Sequence, residues 1–276
     1  GAGRLLADGS WQTFGTAEGL ASDHVRAIAI DAATGDRWFG TDRGVSRLGT
    51  DGRWESFAVV DGLANDDVTA LAVHPGSGDI WFGSRAGASR LSPDGHWRTY
   101  TTAGCLRGND VRALAPDPAN GDCWIGTDFG VTIASGVSTC RTITTADGLG
   151  SNSVTAVAID AVAGEQWVAT SNGTVTVFQR NGRLRMTVNT ARAITIDPLT
   201  GDKWLATDCG IWLIPGDGSG IRSYTSAGGL AHDVVLAVAV DSATGDKWFG
   251  TRAGVSRLGT DGRWATFHVP PPQGGR

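Results

Sequence analysis

Short segments in which β-branched residues alternate with alanine recur along the chain. The first is Val25-Arg-Ala-Ile-Ala-Ile-Asp31, and others start at Val68, Val111, Val154, Ala191 and Val235. A two-residue apolar period of this kind predicts a strand with one tightly packed face. The residues assigned to that face are Ala27/Ala29, Ala70/Ala72, Ala113/Ala115, Ala156/Ala158, Ala193/Thr195 and Ala237/Ala239. A turn such as Asp31-Ala-Ala-Thr-Gly-Asp36 follows, rich in residues that bond their own backbone or accept positive φ. A second strand is expected over Arg37–Thr41, a third over Val45–Leu48 and, after Thr50-Asp-Gly52, a fourth over Arg53–Phe57.

This pattern is repeated. Ala33–Trp54 returns as Ala243–Trp264 with three differences, and a Gly-Asp/Glu-x-Trp core ends at Trp38, Trp81, Trp124, Trp167, Trp204 and Trp248. The spacings are 43, 43, 43, 37 and 44 residues. Four antiparallel strands in a unit of that length make the blade of a β-propeller. The expected fold is therefore all-β, a six-bladed propeller in one domain over residues 1–268, with a Pro/Gly-rich tail over 269–276. The tryptophans are assigned to packing between blades. Trp212 falls outside the pattern, at the Ser position of Gly-Val-Ser-Arg-Leu, where contact with a sugar or partner and a core role are both open.

The loop before each first strand carries a second signature. Gly19-Leu-Ala-Ser-Asp-His-Val25, Gly62-Leu-Ala-Asn-Asp-Asp-Val68 and Gly148-Leu-Gly-Ser-Asn-Ser-Val154 precede Trp-Phe-Gly-Thr and Gly-Val-Ser-Arg-Leu segments. Together they resemble the two-component regulator propeller repeat, across nearly the whole chain. The loop proline of that family is missing throughout. The resemblance implies a propeller blade per repeat and a sensory role in an extracytoplasmic bacterial protein. The family's larger sensors carry further blades, a membrane span and a histidine kinase.

Closure is expected to join the two ends. Seven candidate fourth strands, near Trp11, Trp54, Trp97, Cys140, Leu184, Ile221 and Trp264, face six first strands. One terminal segment should complete the blade begun by the other, with Trp11–Phe14 or Trp264–Phe267 as the fourth strand of blade 6.

A formal net charge of −5 argues against a surface that tracks nucleic-acid phosphates. No run of 18 apolar residues predicts a membrane span. Cys105, Cys123, Cys140 and Cys209 occupy four different repeat positions without metal-ligand spacing, and read as free thiols.

Candidate chemistry concentrates in the loops. Two places before the first strands stand Asp23, Asp66, Asn109, Asn152, Asn189 and Asp233. Such residues close turns onto backbone N–H groups, or form a polar rim for a cation or a hydroxyl-rich ligand. At the other end of the first strands, Asp31, His74, Asp117, Asp160, Asp197 and Asp241 read as turn formers rather than Ca²⁺ ligands. His24 and His232, with Asp23 and Asp233, are candidates for a divalent metal or for acid–base chemistry. The short spacing before blade 5 notches the rim. A ligand site there would be lined by Asp23, His24, Asp66, Asp67, Asp110, His232 and Asp233 and entered past Asn189.

Three functions are in play. The first is a non-catalytic binding or sensory domain for a small molecule, a glycan or another protein. The second is a metal-assisted lyase or hydrolase, and the third a recently amplified or designed repeat scaffold for assembly. No nucleophile–base motif appears, which favours the first.

Overall fold

The computed structural model describes residues 1–6, 8–135, 139–180, 182–189 and 191–267, with Thr139 and Asn189 through their backbone alone. The fold is all-β: six four-stranded antiparallel sheets, each built from consecutive strands, form a six-bladed propeller. Three 3-10 turns, including Val59–Asp61 and Ser226–Gly228, are the helical content of the described residues.

Blade 1 shows how the repeat makes a sheet. Its strands are β3 (Val25–Ile30), β4 (Arg37–Thr41), β5 (Gly44–Leu48) and β6 (Trp54–Phe57), after an N-terminal pair β1 (Ala2–Leu5) and β2 (Trp11–Phe14). The turn from β3 to β4 is closed by Asp31, whose Oδ1 accepts the Ala33 N–H at 2.9 Å while Oδ2 accepts the Thr34 hydroxyl. The two most regular sequence motifs then meet across the sheet. Trp38 pairs with Arg47, whose guanidinium lies over the indole and reaches Asp36 at 2.6 Å. The same clamp joins Arg90 to Asp79 over Trp81, and Arg257 to Asp246 over Trp248. Trp38, Trp81, Trp124, Trp167 and Trp204 are buried, and Trp38 meets Phe82 of the next blade edge-on at 5.8 Å. Trp248 is half-buried.

The chain forms two compact units. The first comprises Gly1–Asp147 with Asn152–Val157; the second comprises Gly148–Ser151 with Ala158–Arg276. In the first unit aromatic and aliphatic side chains of successive blades interlock, as where Trp38, Val45, Leu63, Val68, Ile80 and Phe82 form one cluster. In the second, Trp204, Ile211, Leu213, Leu230, Val235 and Phe249 do the same. Two lysines add buried ion pairs there: Lys203 Nζ sits 2.7 Å from Asp160, and Lys247 Nζ 3.1 Å from Asp197.

Two expectations need correction. Of the two candidates for the fourth strand of blade 6 it is Trp264–Phe267 that pairs with Gly254–Leu258, as expected, but it belongs to the same repeat. Trp11–Phe14 pairs instead with Ala2–Leu5 as a separate two-stranded sheet, so neither end completes a blade begun by the other. Nor are all four cysteines free. Cys105 and Cys140 form a disulfide, while Cys123 is buried and Cys209 exposed as thiols. Burial pushes the Cys123 thiol well above its ordinary pKa.

Candidate functional site

The loops entering the first strands are assembled from both signature motifs. The leucine of each Gly-Leu pair is buried, at Leu20, Leu63, Leu149 and Leu230, and so is Leu106 at the same loop position. The next N–H, of Ala21, Ala64 or Ala231, donates to the serine Oγ of Gly-Val-Ser-Arg-Leu (Ser46, Ser89 or Ser256) at 2.8 Å. The Asp or Asn two places before the strand closes the loop on itself. Asp23 accepts the Thr16 N–H, Asp66 that of Val59, Asn109 that of Thr102, Asn152 that of Thr145 and Asp233 that of Ser226, at 2.6–2.8 Å. The Ser226 bonds hold the Asp233 carboxyl below its ordinary pKa. Asn189 ends the fourth strand of blade 4, paired with Thr174, and its side chain lies outside the described residues.

The histidines are also engaged locally. His24 Nδ1 is 3.0 Å from Asp42 Oδ2, while His232 Nδ1 accepts the Val234 N–H at 2.9 Å. The Asp42 carboxyl is held low by Ser22 and His24. His74 takes the place of a turn-forming Asp: its Nδ1 accepts the Gly76 and Ser77 N–H groups, so Nε2 carries the proton and donates to Asp117 O at 3.2 Å. Among the described residues no three His, Cys, Asp or Glu side chains are grouped to hold a metal ion.

Asp67 and Asp110 are placed differently, each beside an arginine at a bulge. The pairing of the first two strands shifts register after the first valine in blades 1, 2, 3 and 6, and in blades 1 and 3 the residue there is an arginine, Arg26 or Arg112. A bulge re-aims the side chain it contains. Arg26 reaches forward to Asp67 at 2.9 Å, with Arg85 on the other carboxylate oxygen at 3.8 Å. Arg112 grips Asp110 through Nε and Nη2, at 3.0 and 2.6 Å, and donates from Nη1 to Ser153 Oγ at 2.8 Å. Phe129, two residues after the Thr127 that pairs with Val111, is 57% exposed. Gly108 of the preceding loop sits against Asp128 and the Phe129 ring.

Sequence reasoning missed Phe129, Arg112 and the disulfide. The signal for the last was present. Cys105 occupies the loop-glycine position of Gly19, Gly62 and Gly229, and Cys140 the fourth-strand tryptophan position of Trp54, Trp97 and Trp264. Those glycines and tryptophans touch: a Cβ on Gly62 would lie 2.4 Å from the Trp97 ring, and Gly19 and Gly229 meet Trp54 and Trp264 likewise. The disulfide replaces one instance of a contact pair, and so it does not recur with the repeat. A broad depression of about 640 Å³ in the second unit, lined by Ala161–Glu165, Gln179 and Arg180, contains none of the predicted site residues.

No protein-family model and no curated protein matches the chain. Among solved structures it is similar to the extracellular domain of a protein described as the hybrid two component system BT3049 from B. thetaiotaomicron. The TM-score is 0.76 at 23% identity, over 91% of this chain and 35% of that one. The likeness shows the fold. This chain spans about a third of that domain's length. It is also similar to a streptogramin B lyase, at a TM-score of 0.71 and 17% identity over 91% of this chain and 85% of that one. A virginiamycin B lyase from Staphylococcus aureus matches at 0.71 and 16%, over 89% and 84%. No helix among the described residues is long and apolar enough to cross a membrane.

Proposed function

We propose that the chain is a non-catalytic binding or sensory propeller domain of a bacterial protein, working outside the cytoplasm. Its ligand surface is the loop face of the first unit around Asp67, Asp110, Arg112 and Phe129. One observation carries this reading. The repeated polar loop atoms are spent on closing turns, whereas Phe129 is exposed and its ring lies against Gly108, two residues before the Asp110 that Arg112 grips. A guanidinium next to a carboxylate offers donors and acceptors side by side, and an aromatic face packs on C–H groups. That combination suits a hydroxyl-rich ligand, a glycan in particular. A disulfide is at home in an oxidising compartment, and likeness to an extracellular sensor domain points the same way. The test is a glycan panel probed with the oxidised protein and with Phe129→Ala and Arg112→Ala. Binding of one glycan class, lost in both variants, is expected. Binding unchanged in both would overturn the site.

The likeness to lyases over most of both chains favours a second reading, in which the domain performs elimination chemistry. Quinupristin, the compound named with one virginiamycin B lyase structure, is the substrate to try. Conversion of quinupristin by this protein, and not by a heat-denatured sample, would replace the first reading with the second.

A further inference from the structure

The N-terminal pair β1–β2 is half of a blade. Gly1-Ala-Gly-Arg-Leu5 matches Gly44-Val-Ser-Arg-Leu48, and Trp11 and Phe14 match Trp54 and Phe57. The register agrees residue for residue: Ala2 pairs with Phe14 and Leu5 with Trp11, as Val45 pairs with Phe57 and Leu48 with Trp54. The turns agree too, with Leu6 N–H donating to Ser10 O and Gly49 N–H to Arg53 O, both at 2.9 Å. Gly1 N donates to Asp23 O, as Gly44 N–H does to Asp66 O. β1 and β2 are thus the third and fourth strands of a repeat, docked on blade 1 through Phe14, which is buried against Phe39 and Trp54.

Two surfaces mark where the first and second strands of that repeat belong. Among the described residues β1 has β2 as its one strand partner, whereas β5 pairs on both edges, with β4 and β6. On the face of β3 that turns toward the half-blade, Ile28 and Ile30 are 54% and 63% exposed. Their counterparts Leu71 and Val73 in blade 2 pack on the cluster containing Trp38, whose strand lies in the blade before. An unpaired edge beside an uncovered apolar strip accepts a β-hairpin by strand addition.

We propose that this place binds a two-stranded hairpin of the chain's own repeat type, a first and second strand ending in Trp-Phe-Gly-Thr. Continuing the register of β4–β5 assigns the contacts. The incoming threonine would face Gly1 and the phenylalanine Gly3, and the tryptophan would lie opposite Arg4. Arg4 would cap that indole as Arg47 caps Trp38. The indole would rest on Phe14 as Trp38 stacks on Phe57.

The experiment fuses a copy of Val25–Arg43 directly before Gly1, which gives the strand order seen in blades 1 to 6. The Gly1 ammonium becomes an amide that still donates to Asp23 O. A control carries proline in place of the appended phenylalanine, which breaks the ladder. The fusion should raise the melting temperature by at least about 2–4 °C and slow exchange of the β1 amides about tenfold or more; the control should do neither. Unchanged melting and unchanged β1 exchange in the fusion would overturn the proposal. So would a parent protein that sediments as a dimer with its β1 amides already protected, since β1 would then pair with a second copy of itself.

Discussion

The junctions leading into blade 2 and blade 3 have the same length, Phe57 to Val68 and Tyr100 to Val111, and are held in different ways. Both loops turn back on their first residue: Leu63 N–H donates to Ala58 O and Leu106 N–H to Thr101 O. At the first, Gly62 lies so close to Trp97 that no Cβ fits, and φ is 134°. At the second, the same two positions are Cys105 and Cys140, with Cα atoms 5.7 Å apart and joined by the disulfide. A contact that only glycine tolerates is also close enough for a sulfur–sulfur bond, once the large ring opposite is removed. The bond fastens the loop that carries Gly108 against Phe129, whereas the Gly62–Trp97 contact is held by packing. A third junction, into blade 5, has lost the loop. The preceding strand ends at Asn189 and the next begins at Ala193, leaving Ile221, at the tryptophan position, 58% exposed. The loop N–H that would need a serine partner is gone with it, and Trp212 stands half-buried where that serine would be.

Gly62→Val should break the packed junction most severely. A side chain at that φ is strained and would overlap the indole, so a loss of about 4 kcal/mol is expected from urea denaturation. Reducing Cys105–Cys140, or replacing both with serine, should cost about 3–4 kcal/mol for a closed loop of this length. The Gly62 junction should be indifferent to reductant. Asp66→Ala removes one charge-assisted bond to the Val59 N–H and should cost about 1–2 kcal/mol in the same assay, without altering glycan binding.

Acid should act on the second unit's Lys247–Asp197 pair, which is an ion pair rather than a loop contact. Burial opposes ionisation of Asp197, yet the Leu199 N–H and Lys247 together bring its pKa below the ordinary 3.8. A depressed carboxyl contributes stability that is present above its unfolded value and lost as pH falls through the folded one. Thermal melts of the parent should therefore fall below about pH 4 more steeply than those of Asp197→Asn. Ile221→Thr should change stability by less than about 0.5 kcal/mol, because the lost loop leaves that side chain in water.

The six-blade fold was legible because its cause is local and repeated. Each Gly-Asp-x-Trp core predicts a strand, and each Arg of Gly-Val-Ser-Arg-Leu lands over the tryptophan it accompanies. The turn-closing role of Asp23, Asp66 and Asp233 was also within reach, since it follows from side-chain chemistry within seven residues. What escaped lay across the repeat rather than along it. Cys105 and Cys140 are 35 residues apart and become partners only through the loop-to-strand contact. Arg26 and Arg112 matter because a bulge aims them at the next blade, and alternation alone does not show a bulge. Leu5 and Trp11 carried the half-blade in plain view, but a count of fourth strands could not say that β1 would pair with β2 and with no second strand.

The central claim is that ligand recognition sits where the repeat is broken, at Phe129 and Arg112, and that the repeated loop residues serve structure. The most direct measurement titrates the same glycan into two variants by calorimetry: Phe129→Ala with Arg112→Ala, and His24→Ala with Asp66→Ala and His232→Ala. The account predicts that the first variant melts near the parent and loses binding, while the second melts lower and binds as the parent does. Retained binding in the first with loss in a folded second would contradict it.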